Sequence, residues 1–199
     1  MGQELGPAFA LLSRQLVELH FVWQQYRQLY ADTPDTVDLL NRTAGLFFRI
    51  VQGQLWDSVL LGICRITDPA KQGKNKNLTV WSLHDLITDA GLQVEVHKCC
   101  QAAYDASELA RSHRNKRIAH QDHDYRMNPT ANPLSTVTRD AIEEMLKALR
   151  TGMNRIENHY MSSITCYEEV GGLSGAGTLV SKLRKLERLT NSRDTPDIG

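Results

Sequence analysis

The chain has 199 residues, of which 41% are hydrophobic and 23% are charged. This composition is ordinary for a soluble globular protein and predicts one domain that is large enough to bury a good core. Lys plus Arg and Asp plus Glu both number 23, so the formal net charge is zero, which argues against a protein that coats nucleic acid by overall charge but is compatible with a local basic patch.

The first four residues lack the basic and apolar segments of a signal peptide. No apolar run approaches the length of a membrane span. We therefore expect a cytoplasmic protein with no membrane partner. The cysteines do not follow the spacing of a disulfide scaffold and are expected to be reduced thiols; they are Cys64, Cys99, Cys100 and Cys166.

Apolar residues spaced three and four apart, together with only 6 prolines, predict an all-helical chain. The first predicted helix spans residues 7–30. A second helix begins at Thr33-Pro34-Asp35, which supplies a capping hydroxyl, a proline for the first turn and an acid, and it runs to Asp68-Pro69. Because this helix is apolar on more than one side, we expect it to be central or to contact a second subunit.

The second half of the chain predicts further helices. Ser82, followed by Asp85, resembles a capping box for a short third helix that ends at Gly91. The fourth predicted helix spans residues 94–118 and has small residues on its buried face, which would allow close approach to its neighbours. The fifth spans residues 137–161, with six inward apolar positions: Ile142, Met145, Leu146, Leu149, Met153 and Ile156.

These elements predict an all-α fold: a bundle of four long helices with a short inserted helix and a C-terminal helical appendage. Residues 1–170 form the predicted bundle. Residues 171–199 are predicted to hold a Gly-rich hinge, a basic helix over residues 179–189 and a flexible tail.

Residues 71–77 form a polar, basic loop with lysines at 71, 74 and 76. The favoured interpretation is a solvated connector. The functional alternative is a contact with a nucleic-acid backbone, in which Lys74 and Lys76 would bind phosphate.

Residues 111–123 hold the densest group of side chains suited to phosphate chemistry. An arginine followed within four to six residues by a histidine occurs at three places in the chain, so this spacing alone decides nothing. Arg114 with His120 is distinguished by Asn115, which follows the arginine directly, and by its position near the end of a long predicted helix. Arg14 with His20 and Arg117 with His123 lack that asparagine and are discounted.

The order Arg114-Asn115, four residues, His120 resembles the signature of the HEPN superfamily, whose best-known members are ribonucleases of bacterial toxin and phage-defence systems. Residues 55–69, followed by a variable loop and then His113-Arg114-Asn115, resemble the abortive-infection, AbiU2-like subgroup. In that subgroup a long helix closes with an Arg-x-x-Asp ending, which Arg65 and Asp68 match here.

The resemblance implies metal-independent RNA cleavage by the neighbouring 2′-hydroxyl, which leaves a 2′,3′-cyclic phosphate and a 5′-hydroxyl. His120 would move the protons, since histidine titrates near neutral pH. Arg114 would stabilise the phosphate charge, and Asn115 would position His120 or a phosphate oxygen. The candidate substrate-binding residues are Arg117, Arg65, Asp68, Lys74 and Lys76, and the expected substrate is RNA such as tRNA or mRNA.

Helix geometry adds a condition to this site. At 100° per residue, Arg114 and His120 would lie about 120° apart on a continuous α-helix. Either the helix unwinds near Ala119, or a second subunit completes the site. The resemblance implies the latter arrangement, a homodimer in which two motifs line one cleft.

An antitoxin or a nucleotidyltransferase is a further possible partner. HEPN toxins that such a transferase silences carry a tyrosine two residues after the histidine. This chain has Asp122 there, and its nearest tyrosine is Tyr125, so the resemblance does not extend to that control.

We expect no cofactor and no metal site, because His97, Cys99 and Cys100 lack a second ligand pair at zinc spacing. The alternative to an enzyme is a non-catalytic helical binding module for a partner protein or nucleotide. In that case the cations of residues 111–123 would form a solvated helix end that complements the helix dipole.

Overall fold

The computed structural model describes residues 1–119, 122–169 and 174–193. These residues form almost only helices, which confirms the predicted all-α fold. The elements in chain order are α1 (Leu5–Tyr30), α2 (Pro34–Thr67), β1 (Lys71–Gln72), β2 (Asn75–Lys76), α3 (Val80–His84), α4 (Ala90–Ala106), α5 (Glu108–His113), the π segment (Arg114–Ile118), α6 (His123–Met127), α7 (Arg139–Met161) and α8 (Ala176–Arg193).

The chain divides into two compact units. The first unit comprises Met1–His20 and Asp57–Glu169, and the second comprises Phe21–Trp56 and Val170–Gly199. Helices α1 and α2 each contribute to both units. The predicted boundary between residues 1–170 and 171–199 falls on residues 170–173, which lie outside the described residues, so that division stays a prediction.

The core of the first unit is built on α7 and α4. All six positions that were predicted to face inward on α7 are buried, because their spacing of three and four forms one apolar stripe. Helix α4 packs closely on α7: a Cβ added at Gly152 would lie 3.3 Å from the Cβ of Cys99. Small residues therefore allow the close approach that the sequence predicted for this helix.

The second unit has its own small core. Leu29, Leu39, Leu40 and Phe48 are buried together with Ala176 and Val180 of α8. The start of α8 is held by two glutamines of α1: the side-chain oxygen of Gln25 accepts from the Ala176 N–H (2.6 Å) and that of Gln28 from the Gly177 N–H (2.8 Å). These bonds satisfy backbone donors that have no partner within the helix.

Two of the long predicted helices are interrupted in the structure. The helix predicted over residues 94–118 is divided after Ala106 and continues as α5 and the π segment. The Ser107 hydroxyl donates to the carbonyl of Ala103 (2.6 Å), and such back-bonding competes with regular helix geometry. In α2, Ala44 has non-helical angles (φ −159°, ψ 64°), so this helix is kinked where an unbroken one was predicted.

Two short elements also differ from their predictions. The capping box of α3 lies one turn earlier than predicted: the Thr79 N–H donates to the Ser82 hydroxyl (2.9 Å). Ser82 is therefore the third residue of the helix rather than its start. The polar loop at residues 71–77 contains a two-stranded hairpin, in which Lys71 pairs with Lys76 and Gln72 with Asn75.

Among the described residues, no helix combines the length and the apolar character needed to cross a membrane.

His20 is a buried histidine on α1, with 4% of its surface exposed, and its ring stacks on Tyr167. Burial, aided by the charge of Arg150, lowers the pKa of His20 from 6.5 to about 4, while Glu168 and Glu143 oppose that shift. The unfolded chain therefore binds a proton at this position at a higher pH than the folded chain does. The free energy of unfolding must then fall as the pH drops from 6.5 toward 4.

We predict that His20→Phe removes part of this acid sensitivity, because phenylalanine cannot be protonated. Between pH 7 and pH 5, the wild type should lose about 2 kcal/mol of unfolding free energy through His20, and the variant should lose correspondingly less. Urea unfolding at both pH values measures the difference. His159→Phe, at an exposed position, should behave as the wild type. An unchanged acid loss in His20→Phe would contradict the prediction.

Candidate functional site

Two carboxylates, Asp57 of α2 and Asp68 directly after the last residue of α2, face two arginines of the π segment in the first unit. Asp68 pairs with Arg114, and Asp57 pairs with Arg117. Asp57 and Asp68 are eleven residues apart, which is about three helical turns, so both project from nearly the same side of a regular helix. The pairs therefore attach the π segment to the last part of α2 at two points.

Arg114 is held by two acceptors. Its Nη1 donates to Asp68 Oδ2 (2.5 Å) and its Nε donates to Asn115 Oδ1 (3.0 Å). Each side chain of the Arg114–Asp68 pair is 23% exposed, and the hydrogen bond from Asp68 raises the pKa of Arg114. Arginine has five N–H donors, and within the described part of the chain these bonds occupy two of them, which leaves three for another ligand. The guanidinium is fixed and charged, and it can still bind an anion.

Asn115 lies at the surface beside this arginine. Because its side-chain oxygen accepts from Arg114, its amide nitrogen is left to donate. The structure thus gives Asn115 one function that the sequence did not predict, which is to orient Arg114. That the Asn115 amide nitrogen donates to a phosphate oxygen or to His120 stays a prediction.

The backbone at this point departs from α geometry. Residues Arg114–Ile118 form a π segment, in which the Ala119 N–H donates to the Arg114 carbonyl (2.8 Å). A π turn holds more residues than an α turn and is often found at functional sites. The angle of 120° calculated for a regular helix therefore does not apply from Arg114 onward. His120, the predicted acid and base, lies outside the described residues, as does Gln121.

Arg117 has a different environment from Arg114. Both of its terminal nitrogens face the Asp57 carboxylate: Nη2 bonds Oδ1, and Nη1 donates to Oδ2 at 3.4 Å. A bidentate pair of this kind occupies the fork that would otherwise bind phosphate. The geometry makes Arg117 a structural link between α2 and the π segment, and substrate binding by Arg117 stays a prediction.

Three residues of this region were not among the predicted site residues: Asp57, Arg111 and Tyr104. The guanidinium of Arg111 lies over the ring of Tyr104 (3.7 Å from the centroid) and donates to the Tyr104 carbonyl. The spacing of eleven residues between Asp57 and Asp68 could have indicated the first, whereas a contact between Arg111 and Tyr104 leaves no clear trace in the sequence.

Cys64 lies buried below the Arg114–Asp68 pair, and burial raises its pKa to about 11, although the nearby Arg114 works in the opposite direction. A thiol with that pKa is protonated at neutral pH and is therefore a poor nucleophile. Cys64 contributes packing rather than chemistry. The sequence likewise predicted no role for it beyond that of a reduced thiol.

The other predicted substrate-binding residues are all exposed. Arg65 lies near the end of α2, and Lys76 lies on strand β2. Lys74 lies in the two-residue turn of the hairpin, after Gly73, whose φ of +61° suits the first position of a type II′ turn. Their exposure is compatible with phosphate contacts, which stay predictions.

The fold and this site define a class of protein: an all-helical chain with an Arg-Asn pair at a helix end, held by an acidic residue that directly follows a long helix. That is the arrangement expected of the HEPN superfamily. The family model of AbiU2, an HEPN family, matches residues 2–175, and the chain belongs to this family. Neither the curated proteins nor the solved structures contain a match to it.

We predict that the Arg114–Asp68 pair stabilises the fold measurably, because the removal of either partner would leave the other as an unpaired, half-buried charge. Asp68→Ala should destabilise the chain more than the double variant Asp68→Ala/Arg114→Ala does. The coupling free energy in a double-mutant cycle should be about 1–2 kcal/mol.

The matched control is the more exposed pair Arg42–Glu187, whose side chains are 59% and 37% exposed. Its coupling should stay below about 1 kcal/mol. Urea unfolding of the two cycles gives both values. A coupling near zero for Arg114–Asp68 would show that this pair does not stabilise the fold.

Proposed function

We propose that this protein is a metal-independent endoribonuclease of the toxin or phage-defence kind, active as a homodimer in the cytoplasm. The observation that carries the proposal is the state of Arg114: it is charged, fixed by Asp68 and Asn115, and keeps three donors for a ligand. The family also supports a nuclease or abortive-infection role.

In the proposed reaction, the ribose 2′-hydroxyl attacks the neighbouring phosphorus. The bond from phosphorus to the 5′-oxygen breaks, which leaves a 2′,3′-cyclic phosphate and a 5′-hydroxyl. One histidine accepts the proton from the 2′-hydroxyl, and a second donates a proton to the departing 5′-oxygen. Each chain offers one such residue, His120, so two subunits together would supply the base and the acid.

Arg114 would bind the phosphate oxygens as negative charge develops on them. A guanidinium that is already oriented by Asp68 and Asn115 requires little further ordering during the reaction, which is the condition for strong electrostatic stabilisation. Asn115 would add its amide N–H to the same oxygens or to His120. Arg65, Lys74 and Lys76 would hold the RNA backbone beyond the reacting phosphate.

We predict that the purified protein cleaves total RNA or tRNA in the presence of EDTA. Cleavage should fall about 10²–10⁴-fold in His120→Ala and about 10²–10³-fold in Arg114→Ala. The products should carry 2′,3′-cyclic phosphates, and kinase labelling should detect new 5′-hydroxyl ends without prior dephosphorylation.

The double variant Asp68→Ala/Arg114→Ala separates catalysis from folding, because it removes the Arg114 guanidinium without leaving the Asp68 carboxylate unpaired. It should fold and still fail to cleave. Arg188→Ala, at an exposed position on α8, is the matched control and should cleave as the wild type. Intact RNA with folded wild-type dimer would favour the alternative function, a non-catalytic helical module that binds a partner protein or nucleotide through the same arginines.

We further propose that exposed apolar residues of the second unit contribute to the homodimer. Leu46, Phe47 and Ile50 of α2 are 74%, 59% and 57% exposed. Large apolar residues grouped at the surface are typical of protein interfaces. A second copy of the chain is the occupant that the reaction requires, because one copy supplies only one His120.

We predict that Phe47→Glu/Ile50→Glu shifts the protein from dimer to monomer and abolishes RNA cleavage, since a carboxylate is costly to bury at an apolar interface. Light scattering coupled to size-exclusion chromatography measures the mass. Val94→Glu, which places the same charge at a 57% exposed residue of α4, is the control and should leave the mass unchanged. An unaffected dimer in the double variant would exclude this surface.

An antitoxin or nucleotidyltransferase partner stays open in this proposal. Asp122 caps α6, since its side chain accepts from the Tyr125 N–H (2.8 Å), and it stands where transferase-controlled toxins have a tyrosine. Control by tyrosine modification therefore has no support at that position.

A further inference from the structure

A cavity of about 460 Å³ opens in the first unit beside the Arg114–Asp68 pair. Its volume lies within the range of about 300–1,000 Å³ that is usual for small-molecule sites. Seven residues from three short stretches of chain line it: Pro69, Ala70, Lys71, Trp81, Asp85, Gln101 and Tyr104.

Two of these residues connect the cavity to the proposed catalytic site. Pro69 directly follows Asp68, the partner of Arg114. Tyr104 carries the guanidinium of Arg111 over its ring, and it lies close enough to Arg114 to influence the pKa of that residue. A nucleotide whose phosphate bound Arg114 could therefore place an adjacent base in this cavity.

The lining supplies a surface on which a flat ring can stack. Trp81 is half-buried. Its ring meets two imidazoles edge-on: His97 at 5.4 Å and 76°, and His84 at 6.3 Å and 73°. Single-stranded RNA is generally recognised by stacking of unpaired bases on aromatic side chains of this kind.

Two side chains of the cavity, Asp85 and Gln101, offer hydrogen-bond acceptors. Asp85 offers a carboxylate whose Oδ1 lies 3.1 Å from the His84 Nδ1; each carboxylate oxygen has two lone pairs, so the group can accept further hydrogen bonds. Gln101 donates its amide N–H to Asp105 (2.8 Å), which leaves its side-chain oxygen as an acceptor. Asp85 follows Trp81 by four residues, one turn further along the chain, so its carboxylate can face the edge of a ring that lies on the indole.

These features distinguish among the four bases. Guanine presents two adjacent donors, N1–H and N2–H, that a single carboxylate can bind together. Adenine and cytosine each place a ring-nitrogen acceptor beside their amino group, and uracil places carbonyls on both sides of its one N–H. A carboxylate would be repelled by those acceptors, because lone pairs would then face each other.

We infer that this cavity is a guanine-binding subsite of the RNA substrate, with Trp81 as the stacking platform and Asp85 as the residue that selects the base. Lys71, at the mouth of the basic hairpin, would contact the phosphate of the bound nucleotide. The inference rests on the proposed function, since it names the base next to the phosphate that Arg114 would bind.

Binding of mononucleotides tests the inference without relying on catalysis. Isothermal titration of the full-length protein with GMP, AMP, CMP and UMP should give at least about tenfold tighter binding of GMP, as expected for a paired carboxylate contact. His120→Ala should retain that preference. Asp85→Asn, which keeps the shape of the side chain but replaces one acceptor by a donor, should remove it.

Asp38→Asn is the matched control, because it removes one negative charge from an exposed residue outside the cavity. It should leave the GMP preference unchanged. Trp81→Ala should weaken all four nucleotides, since stacking does not depend on the identity of the base. Equal binding of the four nucleotides by the wild type, absent binding of GMP, or a GMP preference that survives Asp85→Asn would each overturn the inference.

The two proposals fail separately in this design. GMP selectivity without RNA cleavage would support the subsite and reject the ribonuclease. Cleavage whose sites show no excess of guanine next to the broken bond, with no GMP selectivity, would support the ribonuclease and reject the subsite.

Discussion

The ion pair between Arg114 and Asp68 is the interaction on which the site depends. It joins the end of α2 to the π segment, and the Arg117–Asp57 pair repeats the connection nearby. The two carboxylates thus fix the position of the π segment within the first unit.

This arrangement makes the structural role of Arg114 physically compatible with the phosphate binding proposed for it. A half-buried guanidinium needs a carboxylate, because an unpaired charge would be costly to remove from water. The same carboxylate restricts the rotation of the side chain, so the entropy of ordering it is lost during folding rather than during the proposed binding of phosphate. Arg117 differs in this respect, since both of its terminal nitrogens bind the Asp57 carboxylate.

The cavity at Trp81 would add selectivity for a base to the proposed phosphate chemistry. The pair would hold a phosphate, whereas Trp81, Asp85 and Gln101 would hold the base attached to it. Phosphate contacts carry no sequence information, and base edges do. A nuclease that uses both kinds of contact would cleave at particular nucleotides. The hydrogen-bond acceptors of Asp85 and Gln101 would therefore decide where cleavage occurs, which the volume of the cavity alone does not.

The sequence by itself determined the helices and the location of the motif. The apolar stripe of α7, the start of α2 and the Arg114-Asn115 pair depend on residues close together in the chain, and such patterns follow from helical periodicity and capping. Only the tertiary structure decided the pairing of Asp57 and Asp68 with particular arginines, the π segment that begins at Arg114, and the cavity at Trp81. Those features arise from contacts between residues up to 60 positions apart, and local sequence patterns carry no information about which distant side chains will meet.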